Sequence, residues 1–203
     1  MVNNVVFDIG GVLADFRIQE FMMEKGLDVS TIKRILKASV MNPYWTKFER
    51  GEATEEETVQ AFVAADPQIE AEIRRAFTDL SGMLVIQDYA IPLVKRLKDA
   101  GYGVYYLSNY SKKAYDECGE SLAFMPHMDG GIVSFRVGLT KPDPQMFACF
   151  LERYGLQAES CVFIDDSEEN VVAARDLGFA GIVFQTYDAL AAELRSMGVE
   201  ISA

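Results

Sequence analysis

A chain of 203 residues suits one α/β domain or a core with a single insertion, because domains run about 100–200 residues. Half of it is apolar and a quarter charged, a globular balance that excludes a disordered or low-complexity polymer. The net charge of −12, without a dense Lys/Arg cluster, disfavours nucleic acid, although a bound cation could still reverse the local field for a small anion.

The first apolar run, residues 5–7, reads as a buried strand. It stops at Asp8, turns on Gly10 and Gly11, and reaches a second acid at Asp15. From there to about residue 85 no strand is expected. Residues 31–38, 54–65 and 68–80 carry apolar residues at helical spacing, with a capping-box pattern from Thr54 to Glu57. Seventy helical residues exceed any crossover, so 15–85 is expected to be an inserted cap, with 1–14 and 86–203 forming the core. Further core strands are expected at 103–107, 161–164 and 181–184, separated by helical patterns. The stretch 129–147 shows short alternating runs, then a Pro-bracketed loop entering a helix at about 144; a last helix is expected over 187–197. The fold class is thus α/β: a three-layer, Rossmann-like core around a parallel sheet, with an inserted α-helical cap.

Three strands end in polar residues: Asp8, Ser108–Asn109 and Asp165–Asp166. Open α/β sheets bind ligands at the carboxyl ends of their strands, so these endings are expected to converge. A carboxylate followed by Gly-Gly suits a nucleophile that attacks phosphorus, since Gly10 and Gly11 let the backbone approach closely. Ser108 and Asn109 offer a hydroxyl and an amide to phosphate oxygens. Lys141, between Thr140 and Pro142, supplies a compact cation that could hold the nucleophile and neutralise phosphate. Two carboxylates ending an apolar strand are costly unless a cation shares them.

Together "FDIGGVL", "YYLSN", the Lys141 loop and "FIDDSEEN" resemble the four motifs of the haloacid dehalogenase-like hydrolase superfamily, over nearly the whole chain. Within it, "FDIGGVLADF", the cap segment "FERGEATEEE" and the set "LSN", "KPDP" and "FIDD" most resemble the phosphatase branch that includes bacterial α-D-glucose-1-phosphate phosphatases. The resemblance implies a phosphatase of a small phosphorylated metabolite, plausibly a sugar phosphate, working through an aspartyl-phosphate on Asp8. It further implies Mg²⁺ held by Asp8, the Gly10 carbonyl, Asp166 and Asp165, directly or through water. One departure stands out: most phosphatases of the superfamily carry a second Asp, the general acid/base, where this chain has Gly10. Asp15 could substitute if the turn folds back; otherwise it caps a helix.

Substrate contacts are expected from "NPYWTKFERGE", where Trp45, Phe48, Glu49 and Arg50 mix aromatic surface with charge. A 2-haloacid dehalogenase also lacks the second Asp but works without metal, leaving the Asp165–Asp166 pair unexplained. A phosphoglucomutase would need an acid at position 10, and a binding protein without turnover is the non-enzymatic rival. Cys118, Cys149 and Cys161 show no ligand or disulfide spacing, the chain begins without a basic leader, and no apolar run approaches the roughly 20 residues of a membrane span. A cytoplasmic protein with no membrane partner is expected.

Overall fold

The computed structural model describes residues 1–200. In chain order its strands and helices are β1 (Asn4–Phe7), β2 (Ala14–Phe16), α1 (Ile18–Glu24), α2 (Val29–Ala38), α3 (Tyr44–Glu49), α4 (Glu55–Ala65), α5 (Glu70–Phe77), β3 (Leu84–Ile86), α6 (Ala90–Asp99), β4 (Gly103–Ser108), α7 (Lys112–Glu117), β5 (Gly130–Val133), α8 (Pro144–Tyr154), β6 (Cys161–Asp165), α9 (Glu168–Asp176), β7 (Ala180–Val183) and α10 (Tyr187–Ser196). The expected core segment 86–203 thus ends in three residues that lie outside the described ones.

Five strands form one parallel sheet in the order β5-β4-β1-β6-β7. β1 is buried along its whole length, because helices cover both faces and leave no room for alternation. Its register sets Phe7 opposite Tyr106 on one side and Ile164 on the other. One step further, Asp8 emerges beside the ends of β4 and β6, where Ser108 and Asp165 stand. Strand order reverses between β1 and β6, so the crevice of this open sheet opens at Asp8.

The expectation of four core strands missed β5. Its sequence, Gly-Gly-Ile-Val, hides a strand behind two residues of low β propensity. Gly131 is there for space: a Cβ would lie 2.3 Å from the Tyr106 carbonyl oxygen and 2.3 Å from its ring. Gly131→Ala is therefore expected to destabilise the protein by about 1–3 kcal/mol, read as a lower midpoint in urea. An unchanged midpoint would mean that β5 is free to move away from β4.

The expectation of no strand between 15 and 85 is also corrected. β2 and β3 pair antiparallel, Phe16 opposite Leu84 and Ala14 opposite Ile86. Three residues per strand are too few for period 2 to show in a sequence, and Phe16 and Val85 face solvent. The expected boundaries, after 14 and before 86, fall inside this ribbon. Asp15 sits in β2, and the residue at the start of α1 is Arg17, so Asp15 does not cap that helix.

Between the two ribbon strands the chain is helical, as its spacing indicated. Thr54 and Glu57 form the reciprocal capping box of α4, and Asp28 caps α2 through Ser30 and Thr31. The single helix expected at 68–80 is a 3₁₀ turn at Pro67–Ile69 followed by α5, because Pro67 suits the first position of a turn. α1, α3 and α7, each seven residues or fewer, were not legible as elements. Trp45 stacks on Phe62, and Phe62 packs on Phe77, with ring centroids 6.2 and 5.2 Å apart. This aromatic cluster joins the sheet's own apolar core. No helix among the described residues is long and apolar enough to cross a membrane.

Candidate active site

Asp8 follows β1 directly and is nearly buried, with Ile9 N donating to its Oδ1 at 2.7 Å. Lys141 Nζ lies 2.9 Å from Asp8 Oδ1 and 2.6 Å from Asp165 Oδ2, and all three groups are out of bulk water. Burial, with a smaller push from Asp165, outweighs the pull of the Lys141 charge and of the Ser108 hydroxyl and leaves the Asp8 carboxyl raised to about 7. Burial alone would lower Lys141, but the two carboxylates outweigh it and hold its ammonium above the usual lysine range. An ammonium flanked in this way is a fixed positive charge behind the would-be nucleophile.

The two acids at the end of β6 are not equivalent. Asp165 is fully buried and has its oxygens engaged by Lys141, the Ser167 N–H at 2.8 Å and Asn170 Nδ2 at 3.0 and 3.1 Å. Asp166 is exposed and lies over Gly11, where a Cβ would come within 2.3 Å of Asp166 Oδ2. Although the residue as a whole is exposed, partial burial of its carboxyl, then the Asp165 charge, raises the Asp166 carboxyl. Oxygens of Asp8, Asp165 and Asp166 all lie within 4.8 Å of one another. An all-carboxylate set with one partly open member suits a hard cation that keeps water ligands.

A cavity of about 450 Å³ opens in front of this group. Of the residues expected at the site, Asp8, Gly10, Gly11, Asp15, Trp45, Phe48, Glu49, Ser108, Asn109 and Asp166 line it. Lys141 and Asp165 stand behind Asp8, one layer back. Asn109 Oδ1 accepts from Lys141 N and its Nδ2 donates to the Lys141 carbonyl, at 2.8 and 3.0 Å, so it anchors the lysine loop. Arg50 turns away from the cavity, its Nε donating to Thr140 Oγ1 at 3.0 Å. The remaining wall is largely apolar: Phe16, Val40, Leu80, Met83 and Leu84. The Tyr110 residue also lines it, and its hydroxyl is buried without a hydrogen-bond partner.

Two further residues matter. Glu49 lines the same cavity, its Oε1 accepting from Trp45 Nε1 at 2.9 Å. Burial raises its carboxyl to about 7, against the pull of that hydrogen bond and of Lys141. Ser134, fully buried at the end of β5, donates to the Glu49 carbonyl at 2.6 Å and accepts from Tyr110 N at 2.8 Å. Glu49 stood out in sequence only as one polar residue of an aromatic segment. Ser134 carried no signal, because its partners are distant along the chain.

A model of haloacid dehalogenase-like hydrolases matches residues 2–178. The chain belongs to this family. It is 26% identical over 192 residues to the sesquiterpene phosphatase astK of Aspergillus oryzae, covering 95% of this chain and 94% of that protein. It is also 26% identical to a flavin mononucleotide hydrolase of Arabidopsis thaliana, of which it spans only 63%. Among solved structures, a haloacid dehalogenase family enzyme of Bacteroides thetaiotaomicron with magnesium and inorganic phosphate superposes at a TM-score of 0.68 and 22% identity. That match covers 94% of this chain and 99% of the other. An L-2-haloacid dehalogenase of Xanthobacter autotrophicus superposes at 0.64 and 19% identity, covering 98% and 85%. At these identities the structural matches establish a shared fold, of which the hydrolase family is the owner by sequence.

Proposed function

We propose that this hydrolase is a Mg²⁺-dependent phosphatase of a small phosphorylated metabolite, with Asp8 as nucleophile. The observation that carries the reading is the trio of Asp8, Asp165 and Asp166 around one point beside a cavity. In the first step an Asp8 oxygen bonds to phosphorus and the ester P–O bond breaks, its electron pair leaving with the alcohol oxygen. Water then attacks the aspartyl-phosphate, releasing inorganic phosphate and restoring the carboxylate. Asp8, the Gly10 carbonyl and Asp166 would hold the cation, with Asp165 behind them; the ion would neutralise phosphate charge. Lys141 holds Asp8 in line, and the Ser108 hydroxyl, beside Asp8 on the cavity wall, would donate to a phosphate oxygen. The helical segment between β2 and β3 serves as the cap that supplies the cavity's outer wall. The phosphatase names of relatives such as astK support this reading.

The substrate's alcohol part would lie against Phe16, Val40, Phe48, Leu80, Met83 and Leu84. A sugar, the expectation from sequence, could stack on Trp45 but would turn several hydroxyls toward carbon, and each unpaired one costs about 1–3 kcal/mol. We therefore favour a compact alcohol with an apolar face, and keep sugar phosphates as the competing arm of a substrate panel. astK, named for a sesquiterpene, is consistent with the first arm.

Metal dependence is the test. Phosphate release from p-nitrophenyl phosphate should require Mg²⁺ and stop with EDTA. Asp166→Ala should raise the Mg²⁺ concentration needed by about 10–100-fold, while the fold melts as before. Full activity in EDTA would remove the metal. Chloride release from 2-chloropropionate under those conditions would establish a dehalogenase instead.

A further inference from the structure

Position 10 carries no acid, yet an alkoxide cannot leave readily without a proton. A Cβ built on Gly10 meets nothing within 4 Å, so the space above it is open to a group from elsewhere. We propose that Glu49 is the general acid that protonates the departing alcohol oxygen in this protein, doing from α3 what no residue at position 10 does. The inference rests on the phosphatase reading of the site.

Three features of Glu49 argue that it is not there for stability. It ends α3, where the helix dipole disfavours a negative charge. It is half-buried, lines the cavity with Trp45 and Phe48, and forms no ion pair among the described residues, the Lys141 charge acting on it only at a distance. One hydrogen bond, from the Trp45 indole, reaches Oε1 and leaves Oε2 available. Carboxyls in a cleft with a burial-shifted titration and one oxygen left uncommitted concentrate where chemistry needs them. Burial also holds the carboxyl near neutrality, so a sizeable fraction carries a proton to give.

The backbone around Glu49 is clamped to the core segment that leads into the lysine loop. Ser134 Oγ holds the Glu49 carbonyl, and the next residue, Arg50, bonds Thr140, which precedes Lys141. Gly51 adopts a φ of +68°, and a Cβ there would lie 3.1 Å from the Phe135 carbonyl oxygen, so the turn after Glu49 sits tightly on the core. Asp15, the residue the sequence suggested, is held in the ribbon opposite Val85 and also lines the cavity, but it is exposed to water where Glu49 is half-buried, which makes it the competing acid in the test. In the first step Glu49 gives its proton to the ester oxygen as the P–O bond breaks. In the second, Glu49 as carboxylate takes a proton from the attacking water, and the cycle closes.

Wild type, Glu49→Gln, Glu49→Asp and Asp15→Asn would be assayed for kcat/KM on p-nitrophenyl, phenyl and n-butyl phosphates. Glutamine keeps the acceptor for Trp45 and loses the proton. Glu49→Gln should lose about 10²–10⁴-fold on n-butyl phosphate and less than about tenfold on p-nitrophenyl phosphate, with Glu49→Asp recovering part of the difference. Equal losses on all substrates, no loss on n-butyl phosphate, or a selective loss in Asp15→Asn instead would overturn the proposal. Should Glu49→Gln fail to fold, the wild-type series decides: a steep fall in rate as the leaving group becomes more basic overturns it, a shallow one supports it. A wild type that releases no phosphate from any of the three would take down the phosphatase reading itself, a separate outcome.

Discussion

Asp8→Asn is expected to lower phosphate release by at least about 10³-fold while the fold survives, because an amide cannot form the acyl phosphate. The substitution is nearly isosteric. The amide oxygen can still accept from Ile9 N and Lys141 Nζ, now at 2.7 and 2.9 Å from Asp8 Oδ1. Lys141 keeps Asp165, so no buried charge is left unpaired. Melting should therefore stay close to wild type. Rapid quenching with substrate labelled in the phosphoryl group should leave label on the wild-type protein and none on the variant. Activity within tenfold of wild type, or label still bound to the variant, would place the nucleophile elsewhere.

Lys141→Met should act on both stability and activity. The lysine head sits between two carboxylates with only 1% of its side chain exposed. Removing it leaves Asp8 and Asp165 facing each other in a low-dielectric site, and breaking a buried pair of this kind costs about 3–5 kcal/mol. The phosphoryl group would also lose the fixed positive charge that Lys141 places behind Asp8. Adding Asp165→Asn removes one of the two uncompensated charges, so the double variant should regain a large part of the stability and none of the activity. That split separates the two roles of the lysine. A Lys141→Met protein that melts like wild type would mean that water or a cation replaces the ammonium at no cost.

Much of the site was legible because its residues end strands. A buried parallel strand is a run of apolar residues, so the polar residue that closes it stands out in sequence, and Asp8, Ser108 and Asp165–Asp166 were found that way. α4 was legible from its capping box, a pattern written in adjacent residues. β5 was obscured by two glycines, Gly130 crowded by Tyr154 and Gly131 by Tyr106, and the β2–β3 ribbon by strands too short to show a period.

The sequence by itself determined the α/β class, the strands that carry the polar endings and the membership in the hydrolase family, since each depends on local patterns and on the order of motifs along the chain. Tertiary structure alone decided how those residues divide the work. Asp165 is tied to Lys141 and Asn170 while its neighbour Asp166 faces the cavity, a distinction invisible in the pair "DD". Glu49 lines the cavity of Asp8, and its carbonyl is held by Ser134, 85 residues away. The physical reason is common to both cases: burial, charge pairing and clamping arise between groups brought together by packing, and spacing along the chain carries no record of them.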